Sequence, residues 1–142
     1  SSSRGEMVVQ GKQVFCTGRF GVIGCVNSET GQIIFELLSG LPPDPRSLEA
    51  GLHQDFACIS ISPNERWAIA GDTFGRVQVW DLQQRGKQEG MRATNAYLVG
   101  PPLSTIRGVA LSPDGQFIAT ANGNGTASLF KLPQPLDMSA GK

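Results

Sequence analysis

The sequence predicts an all-β chain built from repeated antiparallel sheet units, and three observations carry that expectation. First, Phe56 to Leu82 holds three short runs rich in β-branched and aromatic residues, broken at Ser62-Pro63-Asn64-Glu65 and again at Asp72-Thr73-Phe74-Gly75. Runs of this kind between turn clusters read as a three-stranded meander. Second, the stretch recurs about 50 positions later: Ser62-Pro63-Asn64 falls on Ser112-Pro113-Asp114, Trp67 on Phe117, Gly75 on Gly125, Val79 on Leu129 and Trp80 on Phe130. Third, 18 Gly and 9 Pro in 142 residues suit many tight turns between short strands.

Taken in order, residues 1–5 are small, polar and terminal, and are expected to be disordered. Ser1-Ser2-Ser3-Arg4-Gly5 has neither an initiator Met nor an apolar signal region, so the start reads as that of an excised or processed piece. Residues 6–40 form a first, partial unit. Met7-Val8-Val9 is an inner-strand stub turning at Gly11-Lys12 into a strand from Gln13 to Thr17. Strands from Val22 to Val26 and Ile33 to Leu38 follow. Pro42-Pro43-Asp44-Pro45 makes the next segment an irregular surface connection, because each proline removes a donor and biases its predecessor away from helix. A second unit spans 51–100, its outer strand expected at Asn95 to Val99. The polar segment from Gln83 to Gly90 reads as a solvated loop, although Arg85, Lys87 and the nearby Arg92 raise the thought of a nucleic-acid patch. A third unit spans 103–132, with strands near Ile106 to Leu111, Gln116 to Ala121 and Thr126 to Phe130. The tail, 133–142, has no strand pattern, so this unit lacks an outer strand of its own.

Gly51, Phe56, Ile59, Ile61, Ser62, Pro63, Gly75, Val77, Val79, Trp80, Asp81 and Leu82 together resemble the WD-repeat (WD40) pattern of a glycine, inner-strand apolar residues, a Ser-Pro turn and a closing Trp-Asp. The first unit follows on a shift of about 54 positions, with Phe15 under Ile69, Gly21 under Gly75, Ile23 under Val77 and Val26 under Trp80. The resemblance implies about two and a half four-stranded blades of a β-propeller, here as a C-terminal fragment. Propellers close at roughly 4 to 8 blades. So few blades leave apolar faces that the remainder of a longer propeller, or self-association, must cover. In the family the ring is commonly latched by an N-terminal strand completing the last blade. The family's buried His, Ser/Thr, Asp and Trp network is absent: its slots hold Leu52, Ala70, Phe74 and Trp80 in the second unit, and Pro102, Thr120, Asn124 and Phe130 in the third. These units are therefore expected to rest more on apolar packing than on a buried polar relay.

Function classes narrow accordingly. Charged residues are 17% of the chain, with 12 acids against 12 bases, so no net field steers it to nucleic acid or an anionic membrane. No apolar run is long enough to span a bilayer. Cys16, Cys25 and Cys58 are an odd set without metal-ligand spacing and read as small apolar fillers in a reducing compartment, placing the chain in the cytoplasm. His53 lies beside Asp55, but nothing puts it within reach of Ser60 or Cys58, so no nucleophilic site is expected. The Asn122-Gly123-Asn124-Gly125 turn precedes no helix that would complete a phosphate site. No catalytic, metal or cofactor residues are assigned.

The resemblance implies a non-catalytic scaffold for protein partners. One alternative is a regulatory propeller segment of a multidomain enzyme, since Ala119 to Pro133 is similar to terminal repeats in bacterial proteins, some with a Ser/Thr kinase domain. A propeller hydrolase is the other, though the channel-lining strands Phe56 to Ile61 and Ile106 to Leu111 offer few polar groups for it. In place of the family's Asp, the turn before the third strand carries Phe20 and Phe74, flanked by Arg19 and Arg76. Aromatic and Arg residues are common interface anchors, so Arg19, Phe20, Phe74 and Arg76 are the candidate partner-binding set. The competing expectation is that each Phe folds inward to fill space left by the missing network.

Overall fold

A computed structural model of the chain describes residues 7–18, 21–42, 55–85, 89–101 and 104–139. The expected disordered start, most of the proline-rich connection, and Arg19, Phe20, Leu52, His53, Lys87 and Pro102 lie outside these residues. The described residues form twelve strands and one 3₁₀ turn, with three sheets side by side. The first sheet contains β1 (Met7–Gln10), β2 (Gln13–Thr17), β3 (Val22–Asn27) and β4 (Ile33–Leu38) as an antiparallel meander. The second contains β5 (Phe56–Ile61), β6 (Trp67–Asp72), β7 (Arg76–Asp81) and, after a short strand β8 (Gly90–Arg92), β9 (Asn95–Leu98). The third is β10 (Ile106–Leu111), β11 (Phe117–Asn122) and β12 (Ala127–Lys131), with no fourth strand among the described residues. Among the described residues the fold is all-β, and the sheets do not close into a barrel.

Alternation along the strands explains the stacking, because successive side chains point to opposite faces of a sheet. In the second sheet Phe56, Ile59, Ala68, Ala70 and Trp80 join Phe15, Ile23, Cys25, Phe35 and Leu37 of the first in one core. The other parity, Trp67, Ile69, Val77 and Val79, joins Ile106 and Ile118 of the third. A register shift between Phe56 and Cys58 flips the parity within β5, which is why Cys58 belongs to the second core and Ile59 to the first. Gly71 lets the sheets approach closely: a Cβ there would run into Ile106. β6 is therefore buried at every position.

The structure adds to the sequence expectation at two places. At Gly90, the last residue of the stretch read as a solvated loop, begins β8, which pairs in parallel with β4 through Glu36↔Gly90, Leu37↔Met91 and Leu38↔Arg92 and so adds a fifth strand to the first sheet. Three-residue strands give too short a pattern to read, and this one is held by Met91, buried at 4% exposure, and by Arg92 Nη1 donating to Ser39 O at 2.9 Å. Arg85 lies over the Phe35 ring at 4.2 Å, so Arg85 and Arg92 clamp protein instead of waiting for phosphate. The tail, patternless as expected, is anchored. Leu132 and Leu136 are buried, and Leu136 N donates to Gly115 O at 2.9 Å.

Candidate interaction site

The turn between β6 and β7 brings Phe74 and Arg76 together around a buried carboxylate. Asp72 Oδ1 accepts from Phe74 N at 2.8 Å and Arg76 N at 2.9 Å, and Oδ2 accepts from Arg76 Nε at 2.8 Å. Asp72 is fully buried, and burial pushes its carboxyl upward against the pull of the Arg76 guanidinium and these N–H donors. Gly75, at φ +79°, allows the tight turn, and its carbonyl accepts from Val99 and Gly100. Thr73 N donates to Asp55 O on the other side. Enclosed in this way, Phe74 is 2% exposed. It has the inward placement, and Arg76 is committed to Asp72. The structure thus brings two of the four candidate residues together in a packed turn, and the other two, Arg19 and Phe20, lie outside the described residues.

Beside the two apolar cores stand three polar arrangements, none of which uses the family's slots in full. Gln78, fully buried, accepts from Gly40 N at 2.8 Å and donates to Ser39 Oγ at 3.0 Å, tying the second sheet to the exit of the first. In the third sheet Thr120 Oγ1 donates to Asn122 Oδ1 at 3.0 Å, and Asn122 Nδ2 donates to Thr126 Oγ1 and Ser128 Oγ. Trp80 Nε1 donates to both Leu38 O and Met91 O, at 3.0 and 3.1 Å. The available signal was repetition of polar type: Asp72 recurs as Asn122 and Gln78 as Ser128, at strand positions that should otherwise be apolar.

Outward faces differ sharply between the middle and the ends. Ile69, Val77 and Val79 of the second sheet are fully buried against the third. Their counterparts about 50 positions on, Ala119, Ala127 and Leu129, are exposed, Leu129 at 72%. At the opposite end Met7, Val9 and Ile33 of the first sheet are 67%, 67% and 64% exposed. Between the first two sheets a groove of about 410 Å³ is lined by Gln10, Lys12, Gln13, Phe15, Ile61, Glu65 and Leu82, and Gln10 Nε2 already donates to Glu65 Oε1 at 2.6 Å. Among the described residues no three His, Cys, Asp or Glu side chains cluster to hold a metal.

Residues 96–131 match the WD40 family, described as WD domain, G-beta repeat. The fold is that of a WD40 β-propeller segment. Similar folds include the C-terminal WD40 domain of Sif2, with a TM-score of 0.63 at 14% identity over 89% of this chain and 32% of that one. The Cps50 (Swd1) β-propeller domain of Myceliophteria thermophila is similar with a TM-score of 0.64 at 16% identity, over 95% of this chain and 37% of that one. By sequence the chain is 27% identical over 75 residues to the target of rapamycin complex subunit LST8 of Mus musculus. It is 25% identical over 75 residues to the Bos taurus protein of the same name. Each match takes in 53% of this chain and 21% of the relative, so the chain spans about a fifth of the length of these curated relatives.

Proposed function

We propose that this WD40 segment is a non-catalytic scaffold for protein contacts, cytoplasmic, working as part of a larger propeller whose further blades cover its two open faces. The observation that carries the reading is the contrast between Ile69, Val77 and Val79, buried by a neighbouring blade, and Ala119, Ala127 and Leu129, their exposed counterparts. Leaving several hundred Å² of apolar face wet forgoes roughly 25 cal/mol per Å². That is comparable with a domain's whole net stability. The mouse and cattle relatives are named as subunits of a complex, which suits a scaffold role. Free cysteines, with Cys25 and Cys58 buried as fillers, suit a reducing compartment.

The test places a charge at each open face. Leu129→Lys and Ile33→Lys alter exposed side chains and should leave the circular dichroism spectrum unchanged while abolishing association through that face, measured by sedimentation velocity. Unchanged association in both variants counts against the reading. A hydrolase is the competing class, and metal analysis of the purified chain separates them: stoichiometric Ca²⁺ or Zn²⁺ would favour the enzyme.

A further inference from the structure

We propose that the rim of the second blade at Asn64, Arg66 and Trp67 recognises an extended peptide segment of apolar–acidic–apolar–polar pattern, and that Leu136–Ser139 occupies it as the chain's own ligand. The proposal rests on the protein-contact reading above and gives it a second, separate surface.

Two sister turns of the repeat differ in the donors they carry. In Ser62-Pro63-Asn64 and Ser112-Pro113-Asp114 alike, the Ser hydroxyl donates to the third residue's Oδ1 at 2.6 Å and accepts from the backbone N–H of Trp67 or Phe117 at 2.9 Å. The same Oδ1 accepts from Arg66 N or Gln116 N. The turn therefore needs one oxygen, and Asp114 supplies it as well as Asn64 does. Three positions differ between the turns in ways that add donors: Asn64 for Asp114, Arg66 for Gln116 and Trp67 for Phe117.

All three added donors converge on one short stretch. Asn64 Nδ2 donates to Asp137 O at 3.1 Å and to Ser139 O at 2.9 Å. Trp67 Nε1 donates to Asp137 O at 2.7 Å. Arg66 holds Asp81 through Nε and Nη2, and its Nη1 reaches Asp137 Oδ2 at 3.0 Å. Leu136 and Met138, two residues apart on either side of Asp137, pack on the core between the second and third sheets. Carbonyls held by side-chain donors, a carboxylate on a guanidinium and two alternate apolar side chains are the chemistry of short-peptide recognition. The contacts to Asp137 and Ser139 from Asn64 and Arg66 are exposed, so a competing segment has access to them.

A tethered segment competes at an effective concentration in the millimolar range, so a partner segment binds well only once the tail is weakened. The test uses the full chain with Asp137→Ala and Met138→Ala, which touch the tail alone, and a fluorescently labelled peptide of sequence LPQPLDMSAGK followed by anisotropy. Expected is binding at least tenfold tighter than to the unmodified chain, with the gain lost when Asn64→Asp is added, a change the sister turn accommodates. No tighter binding to the opened chain, or equal binding with Asn64→Asp, overturns the proposal and leaves the open blade faces untouched as a separate question. Should the opened chain melt early, hydrogen exchange at the Leu136 amide in Asn64→Asp alone decides: at least tenfold faster exchange supports the site, and an unchanged rate overturns it.

Discussion

Trp80 ties three separated pieces of chain through one side chain. Its ring sits edge-on to Phe56 at 5.4 Å, while its indole N–H is shared between carbonyls of β4 and β8. The corresponding Phe130 has no such donor and packs on Tyr97 at 5.1 Å. Trp80→Phe should therefore keep the aromatic fill and lose the tie, lowering stability by about 1–3 kcal/mol. Thermal melting read by circular dichroism checks this, and a fall of only a fraction of a degree would deny the tie its role. Phe74→Ser tests the competing expectations for the turn aromatics. Removing so buried a ring should cost about 3 kcal/mol or more and lower the melting point by several degrees. A partner lost without any change in melting would instead favour an exposed anchor. Burial pushes the Cys25 thiol up to about 11, so a thiol reagent near pH 8 should leave it unmodified until the chain unfolds. The Trp slot was legible in the sequence. Its two acceptors were not, because backbone carbonyls of distant residues leave no trace in composition or spacing.

At the scale of elements, strands were readable wherever β-branched runs end in glycine turns. The third unit's strands are found one residue later than expected at β11, Phe117 rather than Gln116, and at β12, Ala127 rather than Thr126. β8 and the anchored tail were not readable, since neither is long enough to show a period and both depend on partners far away in sequence. Gly115 shows that dependence. Its φ of +75° and the close approach of the Leu136 carbonyl leave no room for a Cβ, whereas Glu65 carries a side chain at the equivalent turn position at φ +62°. Gly115→Ala should accordingly lift the tail and accelerate hydrogen exchange at Leu136, and exchange as slow as in the unmodified chain would contradict this. Asp137 gives a pH test. Hydrogen bonds from Ser139, together with the Arg66 guanidinium, hold its carboxyl below the ordinary carboxylate value. With a folded value below the unfolded one of about 3.9, its contribution is complete above that pH and lost as pH falls through the lower folded value. The Met138 methyl resonance should thus move toward its free-peptide position only on acidification below about pH 4. Movement already at neutral pH would be inconsistent with the pairing.

For the whole molecule, the middle blade supplies the internal standard. Both of its faces are covered, and the alternation that covers them continues into the third sheet with nothing described against it. The repeat made this legible in the sequence, since Val79 and Leu129 share a slot and only neighbours decide which is buried. The contacts of the turns were less legible: Phe74, in the slot of the family's Asp, is packed inward, while Asn64 donates to Asp137 and Ser139 where the sister turn carries Asp114. Two unlike apolar ends on one chain make a head-to-tail contact between copies available to the isolated chain. Sedimentation velocity of the unmodified 15.1 kDa chain across a concentration range is the most direct test. Expected is reversible association to masses above that of one chain, reduced to monomer by Leu129→Lys. A stable 15.1 kDa monomer at every concentration, melting cooperatively and unaffected by that change, would contradict the claim that its ends are faces built to be covered.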